Sequence, residues 1–180
     1  VSAETSELVS HQEERYAAAI DDMNRIRTAA RERNYHSLAD RENVRVVNGT
    51  ASFVDQNRLR VAAQEDAFEL EADRMFIDSG SLPRKPDIPG INSPRVYTSD
   101  ELIDVRVLPR QLIVIGGGYV GLEFASMYTD FGAQVTVLQR GEAILEGEDA
   151  ETAQAVQRSL EARGIKILCN ADVQRIDDEH

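Results

Sequence analysis

The stretch IVIGGGYVGLEFASMYTDFGAQVTVLQR, Ile113 to Arg140, decides how the rest of the chain is read. An apolar run of strand length meets a helix-period segment through three consecutive glycines, and a second apolar run follows that stops at Gln139 and Arg140. Residues 112–115 read as a strand, 119–130 as a helix ended by Gly132, and 134–138 as a second strand. Downstream, residues 149–163 read as a helix with Ala153, Val156 and Leu160 on one face and Gly164 in the stop position, and 165–168 as a third strand. Strand–helix–strand–helix–strand predicts an α/β chain built on a Rossmann-like, doubly wound nucleotide-binding half.

Gly116, Gly118 and Gly121 satisfy the G-x-G-x-x-G pattern in its required setting, between a strand and a helix. Gly116 permits the tight turn, Gly118 lets the backbone approach a diphosphate, and Gly121 lets the helix pack on the sheet. The free N–H groups and the positive dipole end of the helix then face the phosphates. The end of the second strand, where an acid commonly binds the ribose of NAD, lies 21 residues beyond Gly118, at Gln139. Gln139 is neutral and can still bond a ribose hydroxyl. Arg140 can pair with a 2′-phosphate, the alternative being an ordinary surface arginine. With Glu142 the nearest acid, the strand end leans toward NADP over NAD.

Outward from this stretch, Tyr16, Ile20, Met23, Ile26 and Ala30 fall on one face of a helix expected over residues 11–33, with acids and arginines opposite. From Asn43 the period changes. VRVVNG, ASFVD, RLRVA, AFELEA and MFIDSG read as a small β-meander followed by a buried strand over residues 75–77. Four of the five prolines then fall in GSLPRKPDIPGINSP, expected to be a connector without regular structure. Two domains are expected, 1–108 and 109–180.

Composition narrows the functions. The 180 residues are 42% hydrophobic and 29% charged, as in a globular protein, and the net charge of −12 argues against a nucleic-acid partner. No apolar run reaches the ~20 residues of a membrane span, and the first fifteen residues lack the pattern of a signal peptide. Cys169 is the only cysteine, which fits a reducing, cytoplasmic setting; it is expected to be a buried structural thiol on the third strand. His11, His36 and His180 are scattered, so no metal site is expected.

VIGGGYVGLEFASMYTDFGAQVTVL closely resembles the pyridine-nucleotide domain of the flavoprotein disulfide reductases, a family that includes dihydrolipoamide dehydrogenase, glutathione reductase and mercuric reductase. FIDSGSLPRKPDIPG resembles the family's Thr-Gly-Ser segment and the crossing between its flavin and nicotinamide domains, and RNYHSLADRENVRVVNGTASFVD the stretch after its redox helix. The likeness is greatest to the reactive-chlorine-resistance branch, near mercuric reductase.

The resemblance implies that Gly116, Gly118, Tyr119, Val120 and Gly121 form the diphosphate loop. It implies that Tyr119 lies over the flavin until nicotinamide enters, that Glu123 stands near the nicotinamide carboxamide, and that Arg140 grips a 2′-phosphate. Bottom-up, Glu123 equally reads as a first-turn acid that compensates the helix dipole. A second arginine of that grip falls at Glu146, which weakens the NADP assignment. Gly49, Thr50 and Ala51 match the segment against the flavin's adenosine; Ser79 and Gly80 replace the usual Thr-Gly, after Asp78 where Ala is common. The second glycine fingerprint for FAD, the redox cysteine pair, the C-terminal Gly-Asp motif and the His-Glu pair have no match. The expectation is therefore a piece of a longer FAD-dependent oxidoreductase, homodimeric through a C-terminal domain: a partial FAD-binding domain and the first half of the NAD(P) domain. It would pass hydride from NAD(P)H to FAD and on to cysteines outside these residues. The alternative is a nucleotide-binding regulatory module without catalysis.

Overall fold

The computed structural model describes residues 3–63 and 66–177, with the side chains of residues 3–6 left aside; His180 lies outside the described residues. In chain order the elements are α1 (Ala3–Ala39), β1 (Thr50–Phe53), β2 (Arg58–Ala62), β3 (Ala67–Glu71), α2 (Ser99–Leu102), β4 (Gln111–Ile115), α3 (Tyr119–Asp130), β5 (Gln134–Leu138), α4 (Ala150–Ala162) and β6 (Lys166–Leu168). The chain divides into two compact units, residues 24–82 and residues 1–23 with 83–180. No described helix is long and apolar enough to cross a membrane.

The unit of residues 24–82 carries the antiparallel meander β1-β2-β3, in which Thr50 pairs with Ala62 and Ala62 with Ala67. Asp55 sets the first turn: its carboxylate accepts the Asn57 N–H at 2.9 Å and the Arg58 Nε–H at 2.8 Å. Those bonds, the backbone one foremost, hold its carboxyl below the usual value. Arg45 lies over the Phe68 ring, 5.2 Å from its centroid. Val61 is the residue of this sheet that is fully buried.

Two expected strands do not form here. Residues 44–48 run without a ladder because β2, the partner of β1, ends its pairing at Ala62 opposite Thr50. Residues 75–77 are neither strand nor buried, with Phe76 91% and Ile77 76% exposed. A strand needs a neighbour to take its backbone hydrogen bonds, and no described strand pairs with this one.

The other unit carries the parallel sheet β4-β5-β6. Its rows Val114–Val137–Ile167 and Ile115–Leu138–Leu168 run across all three strands. The first row packs toward the core with Leu122, Ala125, Ala153 and Leu160 of α3 and α4. The opposite face is turned outward, with Ile113 64%, Ile115 43% and Leu168 39% exposed. Gly132 and Gly164, at φ of 102° and 92°, end α3 and α4 in the left-handed region that favours glycine. Arg163 joins the two helices, its guanidinium 2.5 Å from Ser126 Oγ and 2.6 Å from Asp130 Oδ1. The connector over residues 80–94 has turns and irregular backbone only, as expected, and residues 95–98 continue it. It leads into α2, a helix that periodicity did not reveal, at whose start the Thr98 N–H donates to Glu101 at 2.7 Å.

Helix α1 extends past both expected ends, over flanking residues that carry no apolar period to mark them and contain no Gly or Pro to stop the helix. Its apolar stripe is buried at Tyr16 and Ile20 and partly at Met23, whereas Ile26 is 60% exposed. Tyr16 is the anchor. Its hydroxyl donates to the Val105 carbonyl at 2.6 Å and lies 2.9 Å from the Tyr128 hydroxyl, and its ring meets Phe131 edge-on at 5.2 Å. Burial, then the Tyr16 hydroxyl, raise the Tyr128 phenol well above its ordinary value.

Tyr16→Phe should cost about 0.5–1.5 kcal/mol in urea unfolding, because the part-buried Val105 carbonyl loses its donor while the ring contacts remain. A second expectation concerns Asp149, the N-cap of α4, which accepts the Thr152 N–H at 2.9 Å. Hydrogen bonds from Thr152 hold its carboxyl below the ordinary 3.8. A depressed folded pKa gives stability that is present above 3.8 and lost as pH falls through the folded value. Asp149→Ala should therefore lower the melting temperature at pH 7, with the deficit shrinking in melts below pH 3.8.

Candidate dinucleotide site

The candidate site lies at the carboxyl ends of the parallel strands, where ligands of doubly wound sheets sit. The ladder continues into the loops: the Gly116 N–H donates to Leu138 O at 2.8 Å and the Gln139 N–H to Leu168 O at 2.8 Å. Gly116, at φ of 109°, turns the chain out of β4. Gly118 is the N-cap of α3, and its carbonyl accepts the first helical bond, from Leu122 at 3.0 Å. With no side chain to cap the helix, the first-turn N–H groups face outward without an intrahelical acceptor. A Cβ on Gly118 would meet nothing within 4 Å, whereas one on Gly121 would lie 2.5 Å from the Gly116 carbonyl oxygen. The loop thus has one glycine that its own packing requires and one that leaves room for a ligand. The donor set and open cradle suit a diphosphate.

The middle glycine, which the pattern leaves unspecified, is as constrained. A Cβ on Gly117 would lie 2.7 Å from Ile144 Cγ2 and 3.3 Å from Gln139 Cβ. The segment after β5 folds back over this loop: the Leu145 N–H donates to Gly117 O at 2.9 Å, and Ile144 is fully buried. Leu145 takes a φ of 52° to do so. The three consecutive glycines were the signal for Gly117, but only the fold identifies what crowds it.

Gln139 accepts the Gly117 N–H at 2.9 Å through Oε1 and donates through Nε2 to Glu146 Oε1 at 3.0 Å. Its amide orientation follows from the partners, since the flipped amide would set donor against donor and oxygen against carboxylate. Arg140, beside it, is exposed and has no ion-pair partner among the described residues.

Tyr119 is 61% exposed and its hydroxyl donates to Glu148; deprotonation would place a phenolate against that carboxylate, so the bond raises its pKa. Val120 is 53% exposed. Glu123 is exposed and one residue past the first turn of α3, which contains no acid, so the expected first-turn dipole role does not hold. Tyr119, Glu123, Met127, Leu145 and Val156 line a groove of about 680 Å³ along α3 and α4. Cys169 is half-buried rather than buried and lies one residue past β6, packed against the core.

The expected flavin residues belong to the unit of residues 24–82. Gly49 precedes β1, and Thr50 and Ala51 are exposed on it. A Cβ on Gly49 would lie 2.7 Å from Ala62 O, so the meander itself requires that glycine. Asp78, Ser79 and Gly80 are exposed, with Gly80 at φ of 73° in open space. The structure thus brings Gly116, Gly118, Tyr119, Val120, Gly121, Gln139 and Arg140 to one sheet end, with Glu123 further along α3. Among the described residues no group of three or more His, Cys, Asp or Glu side chains is arranged to hold a metal.

This fold is that of the FAD/NAD-binding, Rossmann-like flavoprotein disulfide reductases. The family model described as pyridine nucleotide-disulphide oxidoreductase matches residues 3–180, and the chain belongs to that family. It is 38% identical over 162 residues to the probable pyridine nucleotide-disulfide oxidoreductase RclA of Escherichia coli (strain K12), covering 89% of this chain and 37% of the relative. It is 30% identical to the mercuric reductase of Lysinibacillus sphaericus, covering 89% and 29%. The structure of the HOCl-induced flavoprotein disulfide reductase RclA from Escherichia coli superposes with a TM-score of 0.84 at 34% identity, covering all of this chain and 42% of that one. The chain spans less than half the length of these relatives.

Gly121→Ala should lose about 1–3 kcal/mol of stability in denaturant unfolding, because its new methyl meets backbone that cannot yield. Gly118→Ala, with φ of −83° and open space, should unfold within about 1 kcal/mol of wild type.

Proposed function

We propose that these residues form the dinucleotide-binding part of an FAD-dependent pyridine nucleotide-disulfide oxidoreductase. The observation that carries this reading is the open cradle at Gly118 over the uncapped N-terminus of α3. When bound, the nicotinamide would supply a hydride to the flavin, whose electron pair would in turn reduce a cysteine pair outside these 180 residues. The chain's own part is to bind and orient. The backbone N–H groups from Gly118 to Gly121 hold the diphosphate; Tyr119 and Glu123 face the nicotinamide end. Gln139 and Arg140 meet the adenosine ribose, with the exposed Arg140 favouring NADPH over NADH. Gly49, Thr50, Ala51, Ser79 and Gly80 contribute small, exposed backbone to the flavin site.

The setting in this reading is cytoplasmic redox homeostasis in a homodimer completed by further sequence. A regulatory nucleotide-binding module is the second reading; the resemblance of FIDSGSLPRKPDIPG to a flavin-domain crossing favours the first. NAD(P)H-dependent reduction of flavin and a disulfide by the longer protein separates the two, since a regulatory module gives neither.

Calorimetric titration tests the site. Gly118→Ala should weaken NADH and NADPH alike, since both carry the diphosphate. Arg140→Ala should weaken NADPH by about tenfold and leave NADH nearly unchanged, the phosphate contact being partly exposed. Equal losses of both dinucleotides in Arg140→Ala would make Arg140 structural.

A further inference from the structure

We infer that residues 74–78, the run Arg-Met-Phe-Ile-Asp, are a pairing strand for a second copy of this chain, the two copies joining antiparallel about a two-fold axis at Phe76. The surface belongs to the unit of residues 24–82 and is independent of the dinucleotide reading above.

The run has the make-up of a strand without a ladder. It leaves β3 through a bend at Asp73 and continues without turn or bend through Gly80. Gly80, at φ of 73°, takes the backbone out of the strand region and bounds the run. Phe76 and Ile77 are largely exposed. No backbone hydrogen bond ties residues 74–80 to any described residue. Unpaired N–H and C=O groups beside exposed apolar side chains are a template for another chain.

The sequence selects the occupant. Arg74 and Asp78 stand at equal distance on either side of Phe76. In an antiparallel pair centred on Phe76, each Arg74 faces the second copy's Asp78, each Met75 faces its Ile77, and the two Phe76 rings face each other. Side chains alternate along a strand, so two ion pairs flank the phenylalanines on one face while Met75 and Ile77 share the other. Every group meets its complement, as an isologous two-fold interface requires. A parallel, in-register pairing would set arginine on arginine and aspartate on aspartate, which disfavours open stacking. Arg74 and Asp78 are exposed and form no ion pair or hydrogen bond with any described residue, so neither is drawn away from this role.

Sedimentation velocity of the 180-residue chain tests the pairing, at ~0.15 M salt to screen the net charge of −12. Wild type should pass from monomer to dimer between ~1 and ~100 μM, as suits a small, transient interface. Arg74→Asp sets acid against acid and Asp78→Arg sets base against base, so each variant alone should stay monomeric over that range. An equimolar mixture of the two variants should recover the dimer, because each copy supplies the charge that the other lacks. Both positions are exposed, so the circular dichroism spectrum should be that of wild type. Wild type that stays monomeric throughout overturns the inference and leaves the run to a strand from further sequence of the same polypeptide. A dimer that survives in either single variant overturns it as well, the copies then meeting through another surface such as the outward face of the parallel sheet. So does a mixture of the two variants that fails to pair.

Discussion

The arrangement at the sheet's carboxyl end depends on a single close contact, Gly117 against Ile144. A methyl at 117 would lie 2.7 Å from Ile144 Cγ2. Without that approach, the segment after β5 would not reach the glycine loop, the Leu145 N–H would lose the Gly117 carbonyl, and Gln139 would lose the Gly117 N–H. The same contact buries Ile144 completely, so the loop that leaves α3 open to a ligand is also a wall of the hydrophobic core. Burying an isoleucine side chain contributes about 1.5–3 kcal/mol, enough to hold a loop that has no regular structure of its own.

The site's electrostatics follow from that wall. The strand end carries a neutral amide, a cation at Arg140 without an ion-pair partner among the described residues, and a carboxylate brought in from seven residues downstream of Gln139. Arg140 and Glu146 are both exposed, and water screens each of them. Their influence on a bound dinucleotide is modest and graded, not a gate. Tyr119 and Glu148 form a second tie, between the first residue of α3 and the segment before α4. The loop is thus fastened on two sides by neighbours that are distant in sequence.

Where the sequence was legible, local rules were enough. α3 and β5 have the expected bounds because glycines at 116, 118 and 132 mark a turn, a helix start and a helix stop. Asp149 and Gly164 likewise bracket α4. The diphosphate loop was legible for the same reason, its glycines falling within six residues. Residues 44–48 and 75–77 were misread because β-branched and apolar runs carry strand propensity but not a partner. Gly117 against Ile144, and Gln139 bonded to Glu146, were not legible at all, since each joins residues that only the finished fold brings together. The capping residues of α2 stood in plain sight at Thr98 and Glu101, but a four-residue helix has no period to draw attention to them.

The outward face of the parallel sheet has a consequence for the chain as a colloid. Parallel sheets are ordinarily covered on both sides, and here the row Ile115–Leu138–Leu168 leaves Ile115 43% and Leu168 39% exposed, with Leu138 half-buried between them. Such a row draws copies together, while a net charge of −12 drives them apart. The repulsion reaches only about 10 Å at 0.1 M salt and about 3 Å at 1 M. Dispersed molecules are therefore favoured in dilute buffer, and added salt removes their mutual repulsion and leaves the apolar attraction in place.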